Sequence, residues 1–157
     1  MFKKLKVVLF FIPSIAISAT QYNGVYRDNN FNLAPHQGIY SCKIYPSTRY
    51  PKVRVDQKSI GDANLSVENS ENGIDKRISV DLNNGLELNS TTKLMNKGST
   101  KSMYGMTHDE LTVIYSITED MGSEILIQTE GDRDNLTVVV SSCYMVRNHD
   151  MGAPADP

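Results

Sequence analysis

Residues 111–129, LTVIYSITEDMGSEILIQT, decide the fold class. Leu111, Val113, Tyr115 and Ile117 alternate with Thr112, Ser116 and Thr118, and an acidic E-D-M-G at residues 119–122 separates them from the more continuously apolar Glu124–Thr129. Successive side chains of an extended strand point to opposite faces, so a period of two marks a strand with one buried face. Two such runs joined by a short turn containing Gly predict an antiparallel pair.

The same period extends in both directions. Tyr40, Cys42 and Ile44 oppose Ser41 and Lys43; Val53 and Val55 oppose Lys52, Arg54 and Asp56. Ala63, Leu65 and Val67 form a third run, Ile78, Val80 and Leu82 a fourth, and Leu86 and Leu88 flank Glu87. Residues 136–146 close the pattern with Val138-Val139-Val140, a continuous apolar run that predicts a central position or a strand covered on both faces. Asn72-Gly73, Asn84-Gly85 and Gly131-Asp132 supply turns between runs, because Asn and Gly tolerate positive φ. Helical periodicity is nearly absent. The fold expected is all-β: an antiparallel meander of eight or nine strands closing into a small barrel, with a sandwich as the alternative way to remove its edges.

The first nineteen residues, MFKKLKVVLFFIPSIAISA, set the compartment. A basic start at Lys3, Lys4 and Lys6, an apolar run at Val7–Ile12 and small residues at Ala16, Ser18 and Ala19 have the order of a secretory signal, and the run is too short to span a bilayer. The expected organisation is a signal at 1–19, one barrel domain at 20–148 and a disordered tail at 149–157. The mature protein is expected to be secreted or periplasmic and bacterial, with no stable membrane insertion. Without the three signal lysines, 13 of the 16 basic residues remain against 18 acidic ones, a charge of −5 with His neutral. Such a balance opposes general nucleic-acid binding and suits a basic partner.

Cys42 and Cys143 are the two cysteines. In an oxidising compartment they are expected to pair, and an early and a last strand meet at the closing seam of a barrel. No C-x-x-C pattern supports a redox or metal role.

The stretch 89–110, NSTTKLMNKGSTKSMYGMTHDE, is locally basic in an acidic chain and carries Met95, Met103, Tyr104 and Met106. It reads as a hairpin with Leu94 facing Met103 across a turn at Asn96-Lys97-Gly98. Its contact residues are expected to be Ser99, Lys101, Ser102, Met103 and Tyr104, since loops on rigid scaffolds often carry binding. His108-Asp109-Glu110 is the one tight polar cluster, read as a turn before Leu111 rather than as catalytic. The chain is therefore expected to be no enzyme, to take no cofactor and to hold no metal.

Three motifs carry a resemblance: Tyr40-Ser-Cys42 in an early strand, Asp109–Ser116 before an acidic turn, and Gly131–Cys143 closing the chain. Their order resembles the bacterial periplasmic inhibitors of c-type lysozyme, the MliC-like family, and the strand count resembles calycins in outline. The family's inhibitory loop, S-x-S-G-x-x-Y, corresponds to Ser99-Thr-Lys-Ser-Met-Tyr104, which lacks the Gly. The resemblance implies a non-catalytic protein that binds a basic lysozyme. The alternative expected function is a calycin-like carrier holding a small apolar ligand in the barrel interior.

Overall fold

The computed structural model describes residues 21–46, 58–129 and 137–150. The expected signal, the expected strand at Lys52–Asp56, the turn at Gly131-Asp132 and residues 151–157 lie outside these. Among the described residues there are ten strands: β1 (Val25–Arg27), β2 (Leu33–Pro35), β3 (Gly38–Pro46), β4 (Gly61–Asn69), β5 (Lys76–Asp81), β6 (Glu87–Asn96), β7 (Lys101–His108), β8 (Leu111–Thr118), β9 (Gly122–Thr129) and β10 (Thr137–Asn148). Strands β3 to β10 form a closed antiparallel barrel of eight, each pairing with the next and β10 returning to β3; β1 and β2 form a separate two-stranded sheet. The barrel is the architecture that alternation predicts, and the sandwich is not formed.

The alternating residues are the ones that face inward. Tyr40, Leu65, Val67, Ile78, Val80, Val113, Tyr115, Ile117 and Ile125 are fully shielded from solvent. Tyr104 and Tyr115 stack inside with ring centroids 5.8 Å apart. Each large buried apolar side chain stabilises by roughly 1.5–3 kcal/mol, so this lining is the main stabilising term. The continuous apolar runs have their own explanation. Val139 points outward, yet it lies in one cross-strand row between Leu126 and Tyr45 and is only 3% exposed.

Cys42 and Cys143 form a disulfide across the β3–β10 seam, 101 residues apart in sequence. The pairing skips there from Ser141↔Lys43 to Tyr144↔Ser41, with Ser142 at φ 53°. That bulge places one extra residue on β10, and Cys143 faces inward opposite Cys42 because of it.

The segment before the barrel is more ordered than its Asn-rich sequence suggests. β1 and β2 lie across one end of the barrel and insert Leu33, 1% exposed, into the core. Tyr40 donates its hydroxyl to the His36 carbonyl at 2.6 Å, and Met145 N–H donates to Tyr22 O at 2.7 Å. The first two residues of the expected tail also make contacts: His149 N–H donates to Gln37 O, and Asp150 Oδ2 accepts from Gln37 N–H at 2.7 Å.

Candidate functional site

The expected contact hairpin exists as β6 and β7, but its register differs from the expected one. Leu94 pairs with Tyr104, not Met103, and the ladder skips Met95 before resuming at Asn96↔Met103. One residue of slip exchanges the two faces of a strand. Ser102 is therefore 0% and Tyr104 2% exposed, both facing inward. Ser102 Oγ donates to Leu33 O at 2.6 Å and fastens β2 to the barrel. Burial pushes the Tyr104 hydroxyl up to about 12. Of the five expected contact residues, Ser99 and Lys101 are exposed, Met103 is half-buried, and Ser102 and Tyr104 are closed to a partner.

The hairpin turn is bound down rather than projecting. Leu33 N–H donates to Gly98 O at 2.9 Å, and Lys97 Nζ lies 2.6 Å from Asp28 Oδ2. Hydrogen bonding to Lys97 holds the Asp28 carboxyl below the usual carboxylate range. Arg27 joins three loops at this end. Its Nη1 donates to Phe31 O and to Ser99 O, and its Nη2 lies 2.6 Å from Glu119 Oε2 in the β8–β9 turn.

The β1–β2 turn, Asp28-Asn-Asn-Phe-Asn32, is set by its own aspartate. Asp28 Oδ1 accepts from the N–H groups of Asn30 and Asn32 at 2.8 and 3.0 Å, a local competition that Asp wins readily. This loop holds Phe31 at φ 61° with 73% of its surface exposed. A bulky residue in the left-handed region is rare and costs about 1–2 kcal/mol. Sequence reasoning missed Arg27, Asp28 and Phe31. The D-x-N spacing and a lone aromatic among asparagines were the available signals.

The opposite end of the barrel holds a different feature. The β5–β6 ladder reaches Asp81↔Glu87 and the β7–β8 ladder reaches His108↔Leu111, but β6 and β7 pair only from Lys93↔Gly105 toward the turn. Beyond that point the two strands part, and a cleft of about 470 Å³ opens beside Leu88, Met106 and Leu111. His108, Asp109 and Glu110 stand at its rim. Asp109 makes the β7–β8 turn at φ 51°, and its Oδ2 lies 2.9 Å from His108 Nδ1.

Among the described residues no group of three His, Cys, Asp or Glu side chains is placed to hold a metal ion. No helix among them is long and apolar enough to cross a membrane. No protein-family model matches the chain, and no curated protein or solved structure matches it.

Proposed function

We propose that this is a non-catalytic, extracytoplasmic binding protein that meets a macromolecular partner with the clamped end of its barrel. The observation that carries the reading is Phe31. An aromatic side chain is held in a strained backbone conformation, largely exposed, on a turn that Asp28, Lys97 and Arg27 fasten to two other loops. Strain and an exposed aromatic both cost stability, and they coincide where a rigid anchor would enter a partner's pocket. Ser99, whose carbonyl accepts from the same Arg27 guanidinium as the Phe31 carbonyl, stands beside it, and exposed Lys101 lies two residues further along the chain. The disulfide fits an oxidising compartment.

The lysozyme-inhibitor form of this proposal rests on the resemblance and on the charge of −5 that signal removal leaves, opposite to that of a basic lysozyme. The enclosed-carrier alternative draws no support from an interior filled by Tyr40, Tyr104, Tyr115 and branched aliphatic side chains.

Residual activity of a c-type lysozyme on cell walls, measured with the purified mature protein, tests the proposal. Inhibition is expected, and Phe31→Ala should weaken it at least tenfold. Absence of inhibition at micromolar protein removes the lysozyme form. Full inhibition by Phe31→Ala removes the clamped end as the contact.

A further inference from the structure

The β6–β7 cleft lies at the far end of the barrel from Phe31, and partner binding leaves it without a role. Its shape has a definite origin. Strand β6 stays bonded to β5 as far as Glu87, and β7 stays bonded to β8 as far as His108. The two strands are thus held apart by their other neighbours, and the gap is built into the sheet rather than left by a loop. The volume of about 470 Å³ falls within the range of small-molecule sites, roughly 300–1,000 Å³.

The lining has two chemistries. Leu88, Met106 and Leu111 are inward-facing residues of three strands, each half-buried, and they supply an apolar floor. Met106 is an unbranched thioether that adapts to an irregular occupant. Asp109 and Glu110 are exposed at the rim beside His108, whose Nδ1 lies 2.9 Å from Asp109 Oδ2, and among the described residues no Lys or Arg lines the cleft.

We infer that this cleft binds a small cationic amphiphile, its apolar chain on Leu88, Met106 and Leu111 and its ammonium group at Asp109 and Glu110. Two negative charges at the mouth of an apolar slot favour a cation and repel an anion of the same length. Charge complementarity therefore selects an alkylammonium over an alkylcarboxylate.

The test titrates the disulfide-bonded mature protein with octylammonium and, separately, with octanoate, followed by calorimetry and by the methionine methyl resonances. Saturable one-to-one binding of octylammonium is expected, with the Met106 methyl shifted and octanoate at least tenfold weaker. The double substitution Asp109→Asn, Glu110→Gln lies in an exposed turn, leaves the core untouched, and should reduce octylammonium binding at least fivefold. Met106→Trp should fill the slot and abolish binding, with a circular dichroism spectrum confirming the barrel. Phe31→Ala should bind octylammonium like the unaltered protein, which separates this site from the lysozyme assay. No saturable binding of octylammonium overturns the inference. Equal binding of octanoate, or undiminished octylammonium binding by the Asp109→Asn, Glu110→Gln double variant, overturns its charge basis.

Discussion

The Lys76 ammonium lies 5.8 Å from the centroid of the Tyr104 ring, inside the barrel. The ammonium also donates to the Asn69 side-chain oxygen, and the residue is 7% exposed. Desolvation lowers the Lys76 pKa. A lysine with a lowered native pKa binds its proton less well folded than unfolded, so its contribution to stability rises with pH between the native value and the ordinary one near 10.4. Lys76→Met keeps the length of the side chain and removes the desolvated charge. It should stabilise the protein at pH 7 by on the order of 1 kcal/mol, with the gain shrinking toward pH 10. Urea melts across this range check it. A loss of stability at pH 7 would show that the ring and Asn69 outweigh desolvation.

Three buried tyrosines make the opposite prediction at higher pH. Burial raises Tyr40, Tyr104 and Tyr115, with Tyr104 at about 12. Their native pKa values exceed the unfolded value of about 10, so their stabilisation is fully present below pH 10 and is lost as pH rises through the native values. Unfolding midpoints in urea should fall steeply above pH 10. In a spectrophotometric titration, three of the eight tyrosines should ionise only as the barrel opens.

Phe31 separates stability from binding. Gly adopts φ near 61° without steric cost, and the exposed ring contributes little to folding. Phe31→Gly should raise stability by about 1 kcal/mol while weakening partner binding. A variant that is less stable and still inhibits would contradict both halves.

Glu124 faces outward on β9, yet its Oε2 is buried and, among the described residues, has no hydrogen-bond partner. Desolvation raises its pKa, while the Ser141 hydroxyl and the Lys101 ammonium pull the other way. A carboxyl whose native pKa is raised lends its stabilisation below the unfolded value and loses it as pH rises. Glu124→Gln should therefore stabilise at pH 7 by about 1 kcal/mol and lose that advantage below pH 4. Thermal melts at the two pH values measure it.

Removal of the disulfide should be the most damaging change. Replacing Cys42 and Cys143 by Ala opens a loop with a sequence separation of 101 residues and should cost up to roughly 4–5 kcal/mol by the chain-entropy account. The difference in urea midpoint between oxidised protein and double variant reports it.

The barrel was legible because one face of each strand is buried. The alternation at Leu111–Ile117 and Ile78–Leu82 identifies the inward residues directly, and the turn residues between runs give the meander order. The contact surface was less legible for two physical reasons. The bulge at Met95 breaks the β6–β7 register, which no local pattern announces, and Tyr104, paired with Leu94 and with the buried Tyr115, faces inward. The clamped end depends on contacts distant in sequence, such as Arg27 to Ser99, 72 residues away, and Arg27 to Glu119, 92 away. A polar Asn-rich stretch carries no periodicity that encodes such partners.

The pairing of β10 with β3 also sets a timetable. The first barrel strand has as its neighbour the last barrel strand among the described residues, so the ring cannot close until β10 is available. Long-range closure of this kind is slow, because loop entropy is lost before the distant contacts form. Until then β3 and β9 each present an unpaired edge, an open template for another copy of the chain. The Cys42–Cys143 bridge spans this same seam, so once formed it makes the closure hard to reverse.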